Sequence, residues 1–218
     1  MNNMDLDAKL GAIKNAFPNN SFPLGAMHEF ISNNAEDAAV TCGFVSGLLA
    51  SLMRTGNAAI WIGSSKHIFL PALRSFGIAP DKIIFLDLKK EKEILWAMEE
   101  ALKCEGLAAV VAQMQELNFA LSRRLQLAVE KSRVTGFILR HNPKQVNTTA
   151  CVTRWKITSL PSEISNGLPG VGFPRWNVEL LKVRNGKPAS WQVELIKGRF
   201  RHIYKIPAIP QIQKAQTG

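Results

Sequence analysis

Residues 25–56 read GAMHEFISNNAEDAAVTCGFVSGLLASLMRTG. AMHEFI has strand character, and EDAAVTCGFVSGLLASLMRT carries a long helical pattern, with Asn33 or Asn34 placed to cap it. Many α/β proteins hold a nucleotide phosphate at such a strand–loop–helix. Here the loop SNNAEDAAV has neither glycine nor lysine, and it carries two adjacent acids, Glu36 and Asp37. The stretch keeps the frame of a phosphate loop and lacks its chemistry.

Strands and helices alternate downstream. AAIWI reads as a strand, FLPALRSFG as a short helix ending at Gly77, and KIIFLD as a strand. KEKEILWAMEEALKCEG reads as a helix ending at Gly106, with Ile94, Leu95, Met98 and Leu102 as its apolar stripe. LAAVVAQ, ALSRRLQLAVEKS and GFILR continue the series as strand, helix and strand. Five short apolar strands without polar alternation predict a parallel sheet covered on both faces, with the helices as crossovers. From about residue 150 the pattern changes. ACVTRWKITS, RWNVELLKV and SWQVELIKG alternate apolar with polar residues, which predicts half-exposed antiparallel strands. Asn185-Gly186 in RNGKP suits a type I′ hairpin turn, and SLPSEISNGLPGVGFPR is a loop. The expected fold is therefore α/β, a mainly parallel five-stranded sheet flanked by helices, with an antiparallel C-terminal extension.

Three segments follow. Residues 1–24 form a helical arm and linker, with Leu6, Leu10, Ile13 and Phe17 at helical spacing; the arm either reaches a partner or caps its own core. Residues 25–200 form the core, and residues 201–218 a basic, flexible tail.

Of 218 residues, 46% are hydrophobic and 20% charged, as in an ordinary globular domain. The apolar run VTCGFVSGLLASLM is too short and mixed to span a bilayer, and MNNMDLDAKL lacks signal-peptide character. The expectation is a cytoplasmic, nucleoid-associated protein without a membrane partner. Cys42, Cys104 and Cys151 stand far apart, and the histidines at 28, 67, 141 and 202 are scattered, so neither a zinc site nor a disulfide framework is expected. Cys42 and Cys104 read as small core residues.

The charge is unevenly placed. Residues 1–118 carry 10 Lys/Arg against 13 Asp/Glu, whereas residues 119–218 carry 17 against 4. A basic half of this strength points to nucleic acid, anionic lipid or an acidic protein surface, the alternative being a surface that only solvates. Nucleic-acid-binding candidates are Arg154 and Lys156, which share a strand face opposite Trp155, and Arg140 and Lys144 in RHNPKQVNTTA. KGRFRHIYK adds Lys197, Arg199, Arg201 and Lys205, interleaved with Phe200 and Tyr204. Those aromatics either stack on bases or pack on the core. Trp155, Trp176 and Trp191 read as core or sheet-face residues. No enzyme signature emerges: the acids of KKEKEILWAMEE form a solvated helix face, and Ser64, Ser65 and His67 lack a triad context.

FPLGAMHEFI resembles the lead into the first core strand of RecA-type ATPases. More closely, AAIWIG, FLPALRSFGI, LWAMEEAL, AVVA and LSRRLQLAVEKSRVTGFILR resemble the ImuA family, RecA/SulA-like accessory factors of bacterial error-prone translesion DNA repair. The resemblance covers roughly residues 20 to 200, with RRLQLA and LWAMEEAL its more specific parts. On a RecA-like alignment, Ser32 and Asp37 replace phosphate-loop glycines, Ala38 replaces the lysine and Ala39 the Mg²⁺-binding hydroxyl. Ala112 or Gln113 stands at the Walker B aspartate, and Ser64 at the catalytic glutamate. A carboxylate beside a triphosphate at ~4 Å costs about 1–4 kcal/mol per charge pair. The resemblance thus implies a pseudo-ATPase without cofactor or metal, in which Glu36 and Asp37 complement the helix dipole. It also implies an ImuB-like Y-family polymerase homologue and a DnaE-type polymerase as partners, single-stranded DNA at the loop carrying Arg140 and Lys144, and self-association or contact with RecA. The rival readings are a SulA-like inhibitor binding FtsZ and an atypical ATPase or recombinase.

Overall fold

The computed structural model describes residues 4–63, 70–162, 172–196 and 199–203. Its strands are β1 (Met27–Ser32), β2 (Ala59–Gly63), β3 (Ile83–Asp87), β4 (Ala109–Met114), β5 (Thr135–His141), β6 (Thr153–Leu160), β7 (Arg175–Val183), β8 (Ala189–Ile196) and β9 (Arg199–His202). The helices are α1 (Met4–Leu10), α2 (Ala35–Leu52), α3 (Leu70–Leu73), α4 (Glu91–Leu102) and α5 (Phe119–Ser132). All strands join one sheet in the order β3-β2-β4-β5-β1-β6-β7-β8-β9.

The strands β1 to β5 are parallel, as their apolar runs predict. The parallel part, however, is longer than five strands. β6 was expected to be antiparallel, but it pairs parallel with β1, His28 opposite Thr153 through Ile31 opposite Lys156. Only its other edge is antiparallel, to β7. Alternation reports one covered face and says nothing about direction. The crossover from β5 to β6 uses no helix: residues 142–152 carry the chain back from the C-terminal end of β5 to the N-terminal end of β6 through bends, with Asn142 left-handed (φ 46°).

The arm does not stand free. Leu6, Leu10, Ile13, Phe17 and Phe22 are buried in the same core cluster as Phe30, Trp155 and Phe137. Asp7 ties the linker down, accepting from the Phe22 N–H at 2.9 Å and from Ser21 Oγ at 2.8 Å. On this face α2 covers β1, β5 and β6, while α4 and α5 cover the other around Ile62, Val110 and Ile138. The boundary expected at residue 201 falls inside β9, whose Phe200 stacks on Phe44 at 4.8 Å. Residues 204–218 lie outside the described residues.

Two further expectations change. The β7–β8 connection spans five residues, Arg184 to Pro188, and only Asn185 of the Asn-Gly pair is left-handed (φ 57°), so it is not a two-residue type I′ turn. Gly186 is required for close approach instead: an added Cβ would lie 2.3 Å from the Ala16 carbonyl oxygen, which accepts the Lys187 N–H. Cys104 is exposed rather than in the core, since it follows the C-terminus of α4; Cys42 is half-buried.

Candidate functional site

At the C-terminal end of β1 the chain turns directly into α2, with only Asn33 and Asn34 between Ser32 and Ala35. Asn34 caps the helix. Its Oδ1 accepts the Asp37 N–H at 2.7 Å, and its Nδ2 donates to Asp37 Oδ2 at 3.0 Å. The Ala38 N–H donates to the Asn34 carbonyl. A phosphate loop needs an arch of free N–H groups; here the first turn of the helix occupies that arch and uses its own donors. Asp37 is buried in this turn, while Glu36 is exposed and accepts from Ser159 Oγ. Ser32 Oγ lies 3.1 Å from Thr41 Oγ1, and Ala38 and Ala39 sit inside α2 with side chains too short to reach a phosphate.

A cleft of about 650 Å³ remains beside this turn, over the C-terminal ends of β1, β4 and β5. Of the two Walker B positions, Ala112 packs into the α4–α5 core and Gln113 lines the cleft. Gln113 Nε2 donates to Cys42 Sγ at 3.8 Å, and its side chain lies against Gly63, where an added Cβ would meet Gln113 Oε1 at 2.5 Å. Burial pushes the Cys42 thiol up to about 11. The Ser64 position lies outside the described residues.

Beneath the cleft, on the α4–α5 face, Glu29 is fully buried in β1. Its Oε1 accepts from Arg140 Nη1 at 2.7 Å and its Oε2 from Arg154 Nε at 2.8 Å and Thr149 Oγ1 at 2.9 Å. Arg140 also donates from Nε to the Gln115 carbonyl and from Nη2 to the Gln145 carbonyl, and Arg154 donates to the Asn147 carbonyl. One buried carboxylate thereby holds two arginines, which in turn pin residues 145–149. Sequence reading missed this cluster. The signal was Glu29 itself, a carboxylate in a strand read as covered on both faces, which needs a cation when buried.

No protein-family profile matches the chain. Protein ImuA of Caulobacter vibrioides is 34% identical over 192 residues, covering 83% of this chain and 79% of that protein. The chain belongs to the ImuA family. Cell division inhibitor SulA of Photorhabdus laumondii is 29% identical over 118 residues, 53% of this chain and 67% of SulA. The crystal structure of the RadB recombinase superposes with a TM-score of 0.59 at 12% identity, over 92% of this chain and 97% of that one. The fold of this ImuA-family chain is RecA-like.

Within this ImuA-family chain the basic candidates separate by environment. Arg140, the last residue of the GFILR strand and part of β5, is buried, and its guanidinium donates to Glu29 and to the Gln115 and Gln145 carbonyls. Arg154 shares the expected face with Lys156, opposite the buried Trp155, but its guanidinium is bound to Glu29. Lys144 is exposed, its backbone N–H donating to Glu116 Oε1. Arg201 pairs with Glu194, which also takes Arg175 Nε at 3.1 Å. Burial opposes charge on Glu194, yet hydrogen bonds from Arg201 and Arg175 hold its carboxyl below the usual carboxylate range. Arg199 is exposed. Phe200 is core rather than a stacking platform, whereas Lys197, Tyr204 and Lys205 lie outside the described residues.

Proposed function

We propose that the chain is a non-catalytic RecA-like accessory factor in DNA-damage-induced, error-prone translesion synthesis. It acts by binding an ImuB-like Y-family polymerase homologue, in company with a DnaE-type polymerase, and by engaging single-stranded DNA at the nucleoid. One observation carries the non-catalytic part: the position of the phosphate loop is taken by a capped helix turn holding the Asp37 carboxylate. An anion there would meet a fixed negative charge and no free arch of donors. ImuA-family membership supports the role in the damage response.

The test is a salt titration of binding between the full chain and fluorescent oligo-dT, with and without ATP and Mg²⁺. Binding that weakens steeply with salt and ignores ATP is expected. ATP-stimulated binding, or ATP turnover by the purified chain, overturns the reading.

The SulA match favours a second reading, a division inhibitor that binds FtsZ. Co-sedimentation with FtsZ polymers separates the two, and the translesion reading expects none.

A further inference from the structure

At the other end of α2, roughly 25 Å from the capped turn given 1.5 Å of rise per residue, lies a second cleft of about 570 Å³. Lys9 of α1, Arg54 just after α2, Arg74 just after α3 and Arg199 of β9 all line it. Asp5 also lines the cleft and pairs with Arg54 at 2.8 Å. Among the described residues no carboxylate pairs with Lys9, Arg74 or Arg199. Four segments far apart in sequence thus bring four cations to one cleft against one acid. The C-terminus of α2 explains a cation such as Arg54, but not three more. Lys9 is half-buried; burial first, then the positive charges of Arg199 and Arg54, lower its ammonium to about 8. Like charges gathered in this way destabilise the folded chain unless an anion joins them.

The donor set selects the anion. Guanidinium forks bind phosphate oxygens in pairs, and an ammonium adds a point charge. Phe76 lines the same cleft with a half-buried ring that packs on the core beside Gly43, so the cleft adds apolar surface next to its cations. We propose that the cleft formed by Lys9, Arg54, Arg74 and Arg199 is a phosphate-binding site, taking the phosphodiester backbone of a single-stranded nucleic acid. The strand as source rests on the DNA-binding reading above; the phosphate chemistry does not.

The experiment compares the full chain with R74A and with R54A/R74A, each checked for a cooperative unfolding transition no lower than that of the wild type. Lys131→Ala, on the exposed side of α5, controls for loss of charge. Oligo-dT affinity is measured from about 50 to 200 mM salt, and the thermal shift caused by sodium pyrophosphate is measured in parallel. The double variant is expected to bind oligo-dT at least ~10-fold more weakly and to lower the salt slope by about 1.4, two contacts at about 0.7 each on a single strand. R74A gives about half that change in slope. If no variant binds oligo-dT, but pyrophosphate stabilises the wild type and not R54A/R74A, the site stands with a small phosphate ligand and the DNA reading falls. If oligo-dT binding survives R54A/R74A and the pyrophosphate shift is the same in both, the cleft is overturned while DNA binding stands. If neither probe acts on the wild type, both proposals are overturned.

Discussion

The Glu29 carboxylate and the Arg140 guanidinium meet at 2.7 Å inside the sheet, each side chain without any exposed surface. With Arg154 on the second oxygen, the carboxylate joins β1, β5 and β6 through side chains as well as through backbone ladders. Because residues 145–149 hang from the same groups, the loop depends on the charge of Glu29.

Glu29→Gln is therefore expected to destabilise the fold by about 3–5 kcal/mol, the cost of leaving a buried charge unpaired. Urea unfolding measures it, and hydrogen exchange at residues 145–149 is expected to quicken well before global unfolding. A paired change, Glu29→Leu with Arg140→Met, should cost less than the sum of the two single changes, since Arg140 is then not stranded, although Arg154 still loses its carboxylate. Additive costs would show that the two residues are not coupled.

His28 gives a pH dependence with a definite sign. Its ring is buried between Phe22 and Phe137, Nε2–H donates to the Pro23 carbonyl at 2.9 Å, and Nδ1 accepts from Thr153 Oγ1 at 2.7 Å. Thr153 in turn accepts the Trp155 indole N–H. Burial lowers the imidazole from 6.5 to about 3, against the opposing effect of the Pro23 hydrogen bond. Below about pH 6.5 the unfolded chain gains a proton that the native chain refuses until about pH 3. Stability therefore falls with acidity across that window by up to about 1.4 kcal/mol per pH unit. Melting curves from pH 7 to about pH 4 should show this decline, and His28→Gln should flatten it. Parallel profiles for the two proteins would refute the assignment.

Restoring the lost residue types should not restore the phosphate site. In a chain carrying Asp37→Gly, Ala38→Lys and Ala39→Thr, only Asn33 and Asn34 still separate strand from helix. No binding of a fluorescent ATP analogue is expected, because the turn capped by Asn34 takes up the backbone that an arch of free N–H groups needs. Binding by this variant would show that residue identity, not the early start of the helix, closed the site. Asn34→Ala should cost about 1 kcal/mol through loss of the cap.

Phe200 separates packing from recognition. It stacks on Phe44 and lies 5.9 Å from Trp176, so Phe200→Ala should cost about 3–5 kcal/mol. Phe200→Leu keeps the apolar volume and is expected to leave oligo-dT affinity unchanged well below its melting temperature. A loss of affinity in the folded Leu variant would return the ring to a stacking role.

The order of strands and helices was legible because apolar runs, caps and glycines are local signals. The lack of glycine and lysine between β1 and α2 was legible because it is a matter of residue identities at fixed spacing. The direction of β6 was not, since direction is decided by the crossover and by the neighbour β1, 125 residues earlier for the His28–Thr153 pair. The burial of Arg140 was not legible for the same reason: its partner Glu29 is 111 residues away. The charge split drew attention to residues 119–218, yet Lys9, Arg54 and Arg74 come from the half with an acidic balance. Only folding places them beside Arg199.

The central position of β1 has a consequence for synthesis. One edge of the strand waits for β5 and the other for β6, so its second edge is covered only when Thr153 to Lys156 have left the ribosome. At about 5–20 residues per second, a nascent chain carries the bare strand for roughly 6–25 s. Until then Phe30 and Ile31 have no Trp155 or Lys156 opposite them, and a polypeptide truncated between residues 142 and 152 leaves β1, central in the full sheet, as an open edge strand.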